Sequence, residues 1–246
     1  MLRKNLCILL CALFLSLAFG ACAPQSETPP KQEEPSSSQP ASASQPTAYP
    51  CKIKKEQALF KAEPLPEETR RKITGVSWVE NEHISLDDLS LLTIAYCGFD
   101  GEYYLGQMIA ANEVAQDLTE IFKELFAEAF PIEKIQLIEA YGADDNLSMA
   151  DNNSSAFCYR VIDGTDYLSN HSFGRAVDIN PLQNPYVRGE LVQPDASADY
   201  LDRENVRPGM IAPGGCCYNA FISRGWEWGG DWTGPIDYQH FEKPQE

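Results

Sequence analysis

The chain has 246 residues and carries 36 acidic against 19 basic side chains, a formal charge of −17 at pH 7. No basic stripe suited to a phosphate backbone is present, which excludes nucleic acid as a partner. The length allows one domain with a real core once a leader and a linker are set aside.

Arg3 and Lys4 precede an apolar run over residues 6–18. That run is too short to span a bilayer as a helix of about 20 residues, and its flanks fit an export signal. Phe19-Gly20-Ala21-Cys22 resembles a bacterial lipobox, with Cys22 as the lipidated first residue of the mature chain. Residues 1–21 are therefore expected to be a lipoprotein signal peptide; ordinary secretion, with Cys22 a spectator, is the alternative. From Ala23 to Pro50 the sequence is mostly Pro, Ser, Gln, Glu and Ala. Such a stretch cannot bury enough apolar surface to offset the entropy of ordering. With the charged residues 52–72 it reads as a disordered tether over 22–72, and the folded domain is expected over 73–246. Of the eight cysteines, Cys7 and Cys11 leave with the signal. Cys51, Cys97, Cys158, Cys216 and Cys217 remain; no CxxC occurs, so a cysteine-rich zinc site is not expected.

Residues 73–78 read as a first strand. Ser85 ahead of Asp87 and Asp88 marks a short helix start, and His83 before it reads as a solvated loop histidine. Residues 92–99 and 103–109 read as strands about the Asp100-Gly101 turn. A helix is predicted over 112–130, because Val114, Leu118, Ile121, Phe122, Leu125 and Phe126 recur at three- and four-residue steps. Pro131 ends it. Residues 135–141 read as a strand and 142–155 as a solvated polar loop, whose acidic residues lack the EF-hand spacing. Residues 157–162 read as a strand, 184–213 as a long loop, 216–224 as a short helix closed by Gly225, and 226–228 as a strand.

The chemistry concentrates in two stretches. In Ser169-Asn170-His171-Ser172-Phe173-Gly174-Arg175-Ala176-Val177-Asp178, an imidazole stands seven residues before a carboxylate. A hairpin about Phe173-Gly174 would make Asp178 a diagonal neighbour of His171. Imidazole plus carboxylate suits zinc, and a third ligand is needed. Its candidate is His240, in Asp237-Tyr238-Gln239-His240, just after Trp226-Glu227-Trp228-Gly229-Gly230-Asp231-Trp232. A carboxylate beside the ion would act as base, and Asp237 is the candidate. Positions i and i+3 of a regular strand face opposite ways, so this pair needs a bend.

These two stretches closely resemble the D-alanyl-D-alanine carboxypeptidase (VanY-like) family of zinc peptidases. That family carries SxHxxGxAxD followed by a late carboxylate-x-x-His. Asp rather than Glu in the second motif, with the Trp-Gly-Gly-Asp-Trp run, looks most like the branch that includes L-alanyl-D-glutamate endopeptidases. The resemblance implies an α+β fold, with a small, mainly antiparallel sheet flanked by helices, as in Hedgehog/DD-peptidase-like zinc peptidases. It implies one zinc ion on His171, Asp178 and His240, with Asp237 as base and Arg160 stabilising the oxyanion. Ser169 and Asp231 are expected behind the ligands or against substrate, and Trp228 and Trp232 in the site wall. The expected substrate is a peptidoglycan stem peptide, hydrolysed by an exported monomer held by the Cys22 lipid to the outer face of a bacterial cytoplasmic membrane. The alternatives are a catalytically silent wall-binding lipoprotein, or a cysteine hydrolase built on Cys158 or Cys216.

Overall fold

The computed structural model describes residues 48–245. The expected signal peptide, Cys22 and most of the expected tether lie outside the described residues. In chain order the strands and helices are β1 (Cys51–Ile53), β2 (Phe60–Pro64), α1 (Glu67–Ile73), β3 (Leu89–Cys97), β4 (Tyr103–Ala111) and α2 (Asn112–Ala127). There follow β5 (Lys134–Ile135), α3 (Asp145–Ala150), β6 (Asn153–Ser154), β7 (Ala176–Asp178), β8 (Tyr186–Arg188) and β9 (Leu191–Gln193). The last are α4 (Cys216–Ile222), β10 (Glu227–Trp228), β11 (Ile236–Asp237) and β12 (His240–Glu242). The architecture is mixed helix and sheet with small antiparallel sheets, compatible with an α+β peptidase fold.

The largest sheet has the order β1-β4-β3-β2, all antiparallel. β3 is buried along its whole length. Strand side chains alternate between faces, so Leu92, Ile94 and Tyr96 meet α2 while Leu89 and Leu91 join a second apolar cluster with Ile73, Ile109 and Phe157. The apolar stripe of α2, from Val114 to Phe126, is buried as its periodicity predicts. The same main cluster takes in Phe221 of α4, and Val177, Trp228 and Phe241 of a three-stranded sheet ordered β10-β12-β7. Phe221 and Phe241 stack with ring centroids 3.9 Å apart. That sheet thus lays one face on the core and frees the other for polar chemistry.

Three expectations need correction. The stretch over 52–72 is not linker: β1 and β2 are the edges of the main sheet and α1 follows, so the fold begins well ahead of residue 73. Residues 73–78 form a turn with a single bridge between Thr74 and Trp78 rather than a strand. Residues 157–162 run extended and bond to Ile109, His171 and Ser77, without forming a regular strand. Smaller departures occur in the polar stretches. Residues 135–141, expected as a strand, keep only Ile135 in β5 and form a helical turn over Ile138–Tyr141; α3 lies within the expected 142–155 loop, and the β8–β9 hairpin occupies part of the long 184–213 segment.

Candidate metal centre

The hairpin expected about Phe173-Gly174 does not form. Residues Asn170–Phe173 make one turn of 3-10 helix, with Ser169 as N-cap. Its hydroxyl accepts from the His171 backbone N–H at 3.3 Å, the job for which a short polar side chain is favoured at a helix start. The turn stops at Gly174, whose φ of +64° is in the left-handed region that glycine enters without steric cost. A Cβ there would also sit 2.6 Å from the Ala111 nitrogen. The chain then enters β7. Ser169 is therefore a capping residue that sets the direction of His171.

Asp178 and His240 meet by register. β7 and β12 pair antiparallel with His240 directly opposite Asp178, Phe241 opposite Val177, and Glu242 opposite Ala176. Residues facing each other across a ladder share a face, so Asp178, His240 and Glu242 stand on the polar side, opposite Val177 and Phe241. The main chain of Asp178 is bonded on its other side to Ser155, at 2.8 and 3.1 Å.

His171 Nε2 is 3.1 Å from Asp178 Oδ2 and 3.2 Å from His240 Nδ1, and His240 Nδ1 is 3.1 Å from Asp178 Oδ1. All three side chains are buried. The outer ring nitrogens are committed elsewhere: His171 Nδ1 meets the Ala156 carbonyl, and His240 Nε2 is 2.9 Å from Glu242 Oε2. Each of those acceptors calls for an N–H donor, which leaves His171 Nε2 and His240 Nδ1 as lone pairs. With both rings neutral, two imidazole lone pairs and a carboxylate face one another; without an ion, a proton on His240 Nδ1 facing Asp178 relieves that contact. Such a set is completed by a cation. Bonds of about 2.0–2.1 Å at tetrahedral angles place zinc ligands about 3.3 Å apart, close to the separations here. The donor set fits a zinc ion held by three protein ligands.

Asp237 stands alongside. Its position is fixed by the pairing of Asp237 with Tyr186 across β11 and β8, and Gly229 packs so close that a Cβ there would sit 2.5 Å from the Asp237 carbonyl. β11 ends and β12 starts across Tyr238-Gln239, which is the bend that the spacing required. Asp237 Oδ1 is buried without a hydrogen-bond partner. Burial, then the Asp178 charge, pushes its carboxyl up to about 7.

Arg160 is tied by its backbone to the same turn: its N–H donates to Ser172 Oγ at 2.9 Å and its carbonyl accepts from the Ser169 N–H at 3.1 Å. Its guanidinium pairs with Asp145 at 2.8 Å, both side chains about three-quarters buried. Burial raises the Asp145 carboxyl against the pull of Arg160, and the charges of Asp178, His171 and His240 also reach it. The Arg160–Asp145 pair thus borders the donor set.

The remaining expected residues divide. Trp232 lies with its ring centroid 5.4 Å from that of His240. Trp228 is a core residue, its indole N–H donating to the Tyr238 carbonyl at 2.9 Å. Asp231 is exposed and accepts from the Tyr218 hydroxyl at 3.2 Å, so it holds no ligand histidine. That place belongs to Glu242, which the sequence reading passed over although it follows His240 by one strand period. Cys158 is buried, its thiol pushed up to about 11 by desolvation, and its Sγ faces the Ala143 carbonyl. The described cysteines are all free.

Three buried donors and a neighbouring carboxyl are among the parts that a single-metal hydrolase requires. The comparison with known families points to that class. A family model described as D-alanyl-D-alanine carboxypeptidase matches residues 163–243, less than half the chain. The match takes in His171, Asp178, Asp237, His240 and Glu242 and stops short of Arg160. No curated protein and no solved structure gives a significant match.

The ion-free cluster makes stability depend on pH in a defined sense. Asp237 holds its proton to about 7, whereas an unfolded aspartate loses it near 4. Folding therefore loses stability as pH rises across that interval. For His240, burial pulls downward but bonds to Asp178 and Glu242 prevail, raising it to about 10. Its contribution is fully present below about 6.5 and is lost as pH rises through about 10. Asp178 is held well below the carboxylate range, chiefly by His171 and His240 against desolvation, so its share is lost only in strong acid. The ion requires these groups deprotonated. The difference in thermal midpoint between zinc-loaded and chelated protein is thus expected to widen from pH 5 to pH 9; a constant gap would contradict this account of the cluster.

Proposed function

We propose that the chain is a zinc-dependent peptidase that hydrolyses peptidoglycan stem peptides, by trimming a terminal D-alanine or by cutting an L-alanyl-D-glutamate bond. The observation that carries this is the convergence of one donor atom each from His171, Asp178 and His240, with Asp237, whose buried Oδ1 has no partner, close enough to feel their charges. The fold we assign on this reading is that of the Hedgehog/DD-peptidase-like zinc peptidases. A zinc ion held there would acidify a water and polarise the scissile carbonyl.

Asp237 takes a proton from the attacking water and returns it to the leaving amine. A base titrating near neutral pH is well matched to both halves of that task. Arg160 supplies N–H donors to the oxygen that gains charge; its Nε is buried without an acceptor in the free protein. A guanidinium stays protonated in this role and keeps its donors in a fixed plane. Trp232 shields the His240 side of the site. The lipid on Cys22 and the tether behind it would hold the enzyme at the outer face of the membrane, within reach of the wall.

A wall-binding protein without turnover would tolerate loss of a ligand or of the base, and none is lost. A thiol nucleophile is disfavoured because Cys158 remains protonated at neutral pH and turns toward Ala143. Digestion of purified muropeptides, with product masses read before and after treatment, tests the proposal. Chelation is expected to abolish product formation, with zinc restoring it, while iodoacetamide leaves the rate unchanged. No product from any stem peptide would overturn the peptidase reading, and products insensitive to chelation would overturn its metal dependence.

A further inference from the structure

Glu242 Oε2 accepts from two donors. One is the outer nitrogen of His240, at 2.9 Å; the other is Asn170 Nδ2, at 2.6 Å. Asn170 immediately precedes His171 on the turn capped by Ser169. A single carboxylate oxygen therefore joins the strand that carries one inward nitrogen to the turn that carries the other. The two are also joined through β7, which follows the turn and pairs with β12, and through Arg175 and Lys243, whose backbones and the Arg175 side chain bond to each other.

We propose that Glu242, with Asn170, is a positioning residue for the metal, which fixes His240 with Nδ1 inward and holds both histidines at a common separation. The inference rests on the metal-site reading above. The two ring nitrogens are distinct, and turning the ring over about its Cβ–Cγ bond exchanges Nδ1 with Cδ2 and Nε2 with Cε1, which would remove both nitrogens from their partners. The bond to Glu242 holds the N–H at Nε2, because a charge-assisted hydrogen bond is about twice as strong as a neutral one. The ring then cannot turn over without breaking that bond and facing the Cδ2–H, in place of a nitrogen, toward Asp178 and His171. The second bond prevents the turn and the strand from drifting apart when the ion leaves.

Glu242 is open to substitution because its backbone, not its side chain, pairs with Ala176 and Glu227. Glu242→Leu accepts neither hydrogen bond. Glu242→Gln retains an oxygen that can accept both and loses only the charge. The measurement is the dissociation constant of Zn2+ alone from the full chain, by competition with a chromophoric chelator, together with the visible spectrum of the Co2+-loaded protein. Loss of a partner behind a ligand histidine typically weakens metal binding by about 10–100-fold. Glu242→Leu is expected in the upper part of that range with an altered Co2+ spectrum, and Glu242→Gln near the lower end. A residue that served packing alone would lower the melting midpoint and leave both readouts unchanged. Wild-type affinity in Glu242→Leu overturns the proposal. If that variant does not fold, wild-type affinity in Glu242→Gln does so. Failure of the wild-type chain to bind Zn2+ would instead overturn the underlying metal site.

Discussion

Asp237→Asn is expected to keep its metal and lose its turnover. Asp237 is outside the triangle of inward atoms made by His171, Asp178 and His240, so its removal takes no donor from the ion. Its backbone is set by the ladder to Tyr186 and by the close approach of Gly229, and asparagine has nearly the same shape. The substitution also removes a carboxyl that burial disfavours in its charged form, so folding should not suffer. What is lost is proton transfer. General acid–base catalysis contributes about 10²–10⁴-fold, so kcat should fall by roughly that factor. KM and zinc affinity should change by no more than a few-fold. Initial rates on a muropeptide substrate, with metal content measured on the same preparation, separate these quantities. Full activity in Asp237→Asn would show that another group moves the proton.

The site was more legible than the scaffold that carries it. In the stretch from Ser169 to Asp178 each motif position has a separate physical duty: Ser169 caps, His171 and Asp178 turn donor atoms toward one another, Gly174 permits a left-handed turn, and Ala176 is fully buried. Such constraints fix residue identity, and so they are visible as letters. The geometry between them was misread. A glycine after an aromatic residue suits a hairpin, but it also suits the end of a helical turn, and the Ser169 cap that decides between them acts through one local hydrogen bond.

The central strand pair and α2 were readable because burial imposes period two or 3.6 on them. β1 and β2 were missed for the opposite reason. They are edge strands with side chains half in water, so Lys52, Lys61 and Glu63 give a linker-like composition; charges on edges also discourage pairing with other chains. Glu242 could have been found from the strand period alone, since it shares a face with His240. Asp145 could not, because its role depends on α3 folding back onto Arg160, and nothing local in the sequence encodes that contact.

His171→Ala should fail at an earlier step than Asp237→Asn. The substitution leaves two inward donors, Asp178 and His240, where a zinc site needs three or more protein ligands. Zinc affinity is therefore expected to drop by more than the ~100-fold that marks the loss of an outer partner, and activity should vanish with it. The metal-free protein should also weaken. Asp178 is buried and loses one of its two imidazole partners, and taking a partner from a buried polar group costs about 1–3 kcal/mol. His240 remains to offset part of that, so the chelated variant should melt below chelated wild type yet still unfold cooperatively. Competition titration with a chromophoric chelator and thermal melts at pH 6 measure the two effects separately. Zinc binding at wild-type strength in His171→Ala would mean that the inward nitrogen of His171 does not face the ion, and the donor set would have to be redrawn around other side chains.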